Sequence, residues 1–158
     1  MALHAVVPAP FGAVEIETDG ERVTALRLVQ TARAMRPANE LAAAAAAQVQ
    51  RYFTDPTASF TLPLAVHGSE FQCAVWKEIA AIPTGETRRY GDLAAALHAP
   101  ARSVGQACGD NRLPIVIPCH RVVGATGLGG FAHSKNGHAI TIKRWLLEHE
   151  GALVGTLI

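Results

Sequence analysis

Residues 90–109 read YGDLAAALHAPARSVGQACG, and this stretch decides the architecture of the second half of the chain. Tyr90, Leu93, Ala94 and Leu97 recur at helical spacing. His98-Ala99-Pro100 breaks the run, because proline lacks an amide hydrogen and disfavours a helical residue before it. Ala101 to Gly109 then predicts another helix, one that carries Arg102. Two short helices joined by a few residues make the helix-turn-helix pattern.

Working outward, Ser69 is an N-cap, and Phe71, Val75, Trp76 and Ile79 keep helical spacing until Pro83 and Gly85 end the run. Leu113 to Val123 is an apolar, β-branched run broken by Pro118 directly before Cys119. Four glycines follow (Gly124, Gly127, Gly129, Gly130), then an amphipathic helix from Ala139 to His149 that ends at Gly151. The first part of the chain alternates instead. Phe11 to Glu17 and Val23 to Leu28 flank Asp19-Gly20 and predict two strands around a turn, with Leu3 to Val7 a third strand. Pro37 to Asn39 starts a helix over Glu40 to Phe53, which Asp55-Pro56 stops. Phe60 to Val66, interrupted by Pro63, suits an edge strand or linker. With a boundary near His67-Gly68, the expectation is an α/β domain over residues 1–67 and a mostly α domain over residues 68–158.

The chain has 158 residues and is 49% hydrophobic, enough for a buried core and against disorder as the main state. Its formal net charge is +1, so no strong field points to an acidic partner, nucleic acid or anionic membrane. The slight basicity lies in the second part, with nine basic against seven acidic residues beyond His67. Cys73, Cys108 and Cys119 are an odd number with none in the first third, unlike a disulfide framework. No stretch reaches the roughly 20 apolar residues that cross a bilayer. The expectation is a soluble protein of a reducing, cytoplasmic compartment.

Cys119 is the first candidate for chemistry. It follows Pro118 at a forced bend and precedes His120 and Arg121. An ordinary cysteine packs as a small apolar side chain, but positive charge and a nearby base favour the thiolate, which is the nucleophile. On an extended strand, His120 would point away from Cys119. A bridging water or a special turn is therefore needed for His120 to take the thiol proton, with a carboxylate on its other nitrogen to fix the tautomer. Glu150 and Glu148 are both candidates for that carboxylate. Zinc is set aside: Cys119-His120 lacks ligand spacing, Cys73 and Cys108 have no local partner, and His133 and His138 read as solvated loop residues.

These residues resemble the O6-alkylguanine-DNA alkyltransferases, also called methylated-DNA-protein-cysteine methyltransferases. The resemblance is dense from Phe71 to Gly151. It runs through Phe71-Gln72 with Val75-Trp76, then Ile82-Pro83-Thr84-Gly85-Glu86-Thr87 and Tyr90-Gly91-Asp92-Leu93-Ala94. It continues through Arg102-Ser103-Val104-Gly105, Asn111, Ile115 to Val123, and Lys143 to Gly151. Over residues 1–67 it is loose and rests on Ala9-Pro10-Phe11-Gly12. The resemblance implies a ribonuclease H-like α/β domain, followed by a winged-helix-like domain that binds DNA and accepts the alkyl group. It implies that Cys119 attacks the alkyl carbon on O6 of guanine, and less efficiently on O4 of thymine, once and irreversibly, since a thioether is a poor leaving group. Cys119, a water, His120 and Glu150 would form the relay, Asn111 would hold the turn, and Tyr90 would assist departure of the guanine. No cofactor and no metal are implied.

The damaged nucleotide must be flipped out of the duplex. Arg102 resembles the family's arginine finger, on a helix that enters the minor groove. Ala101, Ser103, Gly105, Cys108 and Arg121 would complete the contact with double-stranded DNA, and Phe131, Ala132, Val122 and Val123 the substrate pocket of a monomer. Three departures from the family pattern stand out. Phe131 replaces a common tyrosine and Ala132 a common serine, the segment from Ala132 to Ile142 is several residues longer, and the turn between Leu97 and Arg102 is shorter. The competing readings are a lesion-binding relative without transfer activity, which has tryptophan in place of the cysteine, a transcriptional dual protein with an extra metal domain, and an unrelated Cys-His hydrolase.

Overall fold

The computed structural model describes residues 3–134 and 137–152. Two compact units divide the chain, Met1–Val66 and His67–Ile158. Together the described elements form a mixed α/β protein with a small antiparallel sheet and five α-helices.

In the first unit, strands β1 (Leu3–Ala9), β2 (Gly12–Thr18) and β3 (Val23–Val29) form an antiparallel sheet in sequence order. The β2–β3 turn is closed by Asp19, whose Oδ1 accepts from the amides of Glu21 and Arg22 at 2.9 and 2.7 Å. Helix α1 (Glu40–Thr54) begins where Asn39 accepts from the Ala42 amide at 2.8 Å, as expected of an N-cap. Its Ala42, Ala45, Val49 and Tyr52 are buried at helical spacing, and Val14 and Ile16 of β2 and Val23 of β3 are fully buried too. The segment around Pro63 is an edge: Val23 donates to Pro63 O at 2.8 Å and accepts from Ala65 at 2.9 Å, a single bridge with no continuous strand.

In the second unit, α2 (Glu70–Ala80) opens on a full capping box between Ser69 and Gln72. Trp76 of α2 donates its indole N–H to Ala107 O at 2.8 Å, which ties α2 to α4 (Ala101–Gly109). Helix α3 (Tyr90–Leu97) ends at His98 in the left-handed region (φ 52°), and Pro100 starts α4. A pair of two-residue strands, β4 (Arg88–Arg89) and β5 (Val122–Val123), runs parallel. Helix α5 (His138–His149) closes the unit, and its Leu147 packs in a cluster with Val123 and Leu128. Among the described residues, no helix is long and apolar enough to cross a membrane.

Candidate active site

The apolar run before Cys119 is not a strand. Leu113, Ile115 and Ile117 are buried in alternation, as in a strand, yet the backbone folds back so that Ile117 donates to Leu113 O at 2.8 Å. Ile115 takes a φ of 74°, a conformation that costs a β-branched residue on the order of 1–3 kcal/mol. Asn111 holds this loop: its Nδ2 donates to Ile117 O at 2.8 Å and its Oδ1 accepts from Leu113 N at 2.9 Å. Pro118 then leads into a 3-10 turn, Cys119–Arg121. That turn buries Cys119, His120 and Arg121 together.

Behind the cysteine lies a buried ionic cluster. His120 Nε2 is 2.8 Å from Glu150 Oε2, and both side chains are fully buried. Arg121 donates to the same carboxylate through Nε (2.8 Å, Oε1) and Nη2 (3.1 Å, Oε2), and also to Ile82 O at 2.6 Å and Thr84 Oγ1 at 3.1 Å. Glu150 is therefore the carboxylate of the pair considered; Glu148 is exposed. Burial holds His120 below its ordinary pKa against the pull of Glu150, which keeps the imidazole neutral near pH 7. With Nε2 donating to the carboxylate, Nδ1 carries the lone pair. Nδ1 is buried without a hydrogen-bond partner among the described residues. Burial also raises Cys119, so the resting group is a thiol, while the Asn111 side chain and Lys143 pull the other way.

Lys143 is the buried charge of the site that sequence reasoning missed. It is fully buried on α5, and its Nζ donates to Val122 O at 2.7 Å and Gly130 O at 2.9 Å. It lies 5.6 Å from the centre of the Tyr90 ring. Burial lowers its pKa from 10.5 to about 8. The cation expected beside the thiol is thus Lys143 and not Arg121, whose guanidinium is committed to Glu150. A signal was present: Lys143 sits among Ile142, Leu146 and Leu147, on the face of α5 that is otherwise apolar.

Cys119 opens onto a cavity of about 550 Å³. Tyr90, Ala101, Arg102, Gly105 and Cys108 line it from α3 and α4, and Phe131 and Ala132 from the loop before α5. Gly129, at φ 75°, passes so close to Tyr90 that a Cβ would come within 2.8 Å of the ring. Tyr90 donates to Gly130 O at 3.2 Å, and burial raises its pKa, so the phenol keeps its proton. Two sequence expectations change. Arg121 is buried in the ionic cluster and does not present its guanidinium to DNA. Val122 and Val123 are not part of the cavity wall: paired with β4, they are buried, Val123 against Leu128 and Leu147. Ser103 is half-buried on α4, next to Arg102. Residues 135 and 136 of the longer loop lie outside the described residues. Among the described residues, no group of three or more His, Cys, Asp or Glu could hold a metal ion.

Residues 70–152 match the family model of the 6-O-methylguanine DNA methyltransferase DNA-binding domain. The chain belongs to this family. The methylated-DNA--protein-cysteine methyltransferase of Mycobacterium tuberculosis H37Rv is 38% identical over 95% of this chain and 93% of its own. The constitutive enzyme of the same name from Bacillus subtilis is also 38% identical, over 95% and 96%. The crystal structure of the M. tuberculosis O6-methylguanine methyltransferase superposes with a TM-score of 0.79 at 36% identity, covering 96% of this chain and 94% of that one. A structure of the same organism's protein in complex with DNA superposes at 0.77 with 35% identity, covering 93% and 91%. Both curated relatives and both structures extend beyond the family's matched domain into the first unit of this chain.

Proposed function

We propose that this methyltransferase repairs double-stranded DNA by moving the alkyl group of O6-alkylguanine, and less efficiently that of O4-alkylthymine, onto its own Cys119. The observation that carries the reading is a buried thiol at a 3-10 turn, open to one cavity and backed by the His120–Glu150 pair. The thiol proton passes, through a bridging water, to Nδ1 of His120, and Glu150 stabilises the imidazolium that results. Lys143 favours the thiolate as it forms. The sulfur attacks the alkyl carbon, the C–S bond forms, and the C–O bond breaks with its electrons going to the guanine. Tyr90, still protonated, assists the departing base. The thioether cannot leave, so each molecule acts once, and no step calls for a cofactor.

Flipping delivers the base at a cost of a few kcal/mol. Helices α3 and α4 act as a helix-turn-helix, with α4 in the minor groove. Arg102, exposed in the first turn of α4 and on the cavity wall, fills the vacated stack. Ala101 and Gly105 let the helix approach the sugar-phosphate walls, as does Cys108. The near-neutral net charge suits moderate, sequence-independent affinity. In this reading the second unit is the winged-helix-like DNA-binding and acceptor domain, the first is the ribonuclease H-like domain, and the protein acts as a cytoplasmic monomer.

Intact mass of the protein, mixed with a slight excess of duplex carrying O6-methylguanine, tests the reading. One methyl in place of one hydrogen, mapped to Cys119 and stopping at one equivalent, is expected. Cys119→Ala should bind the lesion with no mass change. Tight lesion binding by the wild type with no mass change would replace transfer by recognition alone.

A further inference from the structure

A second polar assembly borders the same cavity and takes no part in the transfer above. Asp110, at the C-cap of α4, sits between two partners. Gln72 Nε2 donates to its Oδ2 at 2.9 Å, and His133 Nε2 lies 2.8 Å from its Oδ1. Gln72 is itself fixed, because its Oε1 accepts from Ser69 N at 2.9 Å in the box that starts α2. The carboxylate is thus aimed from one side and holds an imidazole on the other. Around that imidazole the backbone is strained: Ala132 and His133 have φ of 51° and 64°. Two backbone bonds between Phe131 and Ser134, at 2.7 and 2.9 Å, close the turn. The ring lies against Gly109, the last residue of α4, where a Cβ would overlap its Cγ, Nδ1 and Cε1.

We propose that His133, held by Asp110, sets the size of the O6 substituent that the cavity admits. The inference rests on the alkyl-transfer reading and makes His133 a specificity-determining residue of that site. A methyl group ends at the carbon that Cys119 attacks. A larger substituent on the same carbon must extend away from the sulfur within the cavity, whose wall includes Cys108, Gly109 and the His133 ring that lies against Gly109. The two side chains of the pair are 49% and 42% exposed. Such a pair is weak, so the wall is a latch that small changes open.

The test compares second-order transfer rates for O6-benzylguanine and O6-methylguanine in one duplex sequence. His133→Ala removes the ring, and Gly109→Ala displaces it while keeping both partners. Each should raise the benzyl-to-methyl ratio about tenfold, the scale on which a pocket wall discriminates added carbon. Asp110→Ala, which frees the ring and also releases Gln72, should raise it about threefold. Asp110→Asn keeps an acceptor oxygen and should leave the ratio near the wild-type value. An unchanged ratio in the first two variants, or both rates falling in parallel, overturns the proposal. A wild type that transfers neither group would overturn the alkyl-transfer reading itself.

Discussion

The two units bury different things. In the first, Thr18 is the only polar residue in the described core, and it is satisfied by His4 Nδ1 at 3.0 Å and Asn39 Nδ2 at 3.2 Å. Its ion pairs, Arg27 with Glu15 and Glu17, stay near water. In the second, His120, Arg121, Lys143 and Glu150 are all buried. Removing charges from water costs several kcal/mol per ion before any pairing repays it. A unit selected for stability alone would fill that space with apolar side chains. In the proposed transfer those charges supply a buried thiol with a base, a fixed tautomer and a cation within reach.

The largest expected effect breaks that cluster. Glu150→Ala leaves Arg121 and His120 without their acceptor and should cost about 3–5 kcal/mol, with loss of alkyl transfer. Both tryptophans, Trp76 and Trp145, lie in the second unit, so urea unfolding followed by fluorescence reads this loss directly. A loss below about 1 kcal/mol, the surface-pair range, would show that the cluster does not differ from the pairs of the first unit.

Lys143→Met comes next and separates function from packing. Removing the cation should slow transfer about tenfold, the order of one pKa unit at Cys119. Its pH dependence carries the signature. The wild-type lysine loses its proton near pH 8, so its help to the thiolate fades above that value and the rate profile bends down. The Met variant should lack the bend. Stability gives an independent check. Between about pH 8 and 10.5 the unfolded chain holds a proton on Lys143 that the folded chain has lost, so this residue makes the wild type more stable as pH rises through that window. The variant should not show that rise, and equal profiles would remove Lys143 from the mechanism.

The same contrast explains what was legible in the sequence. Wherever local chemistry agrees with tertiary packing, residues alone suffice. The Asn39 and Ser69 caps, the Asp19 turn, the His98–Pro100 break and the helical stripes of α1 and α2 all stand where they were expected. Leu113 to Val123 reads in the sequence only as an apolar, β-branched run, because the Asn111 contacts and the strained Ile115 that fold its first part into a loop leave no local pattern to read. A two-residue ladder such as β4–β5 has no period to read. Lys143 stands where Arg121 was expected because a sequence shows which charges are present but not which carboxylate reaches them. The family's motif pattern carried Cys119, His120, Glu150 and Asn111, and the geometry brings those four together.

The smallest effect belongs to the first unit. Arg27 stands directly across from Glu15 on the β2–β3 ladder and reaches both Glu15 and Glu17 at 3.2 Å. The three side chains are 30%, 23% and 15% exposed, so water and salt screen them. Arg27→Ala should cost about 0.2–1 kcal/mol, with part of that from the repulsion left between two glutamates on one face. Amide exchange of the β2–β3 ladder should show the loss at low salt and converge with the wild type at 1 M salt, where screening reaches about 3 Å. A loss as large as that of Glu150→Ala, or one that salt leaves untouched, would mean that the sheet also depends on buried charge, and the division between a unit built for packing and a unit built for chemistry would fail.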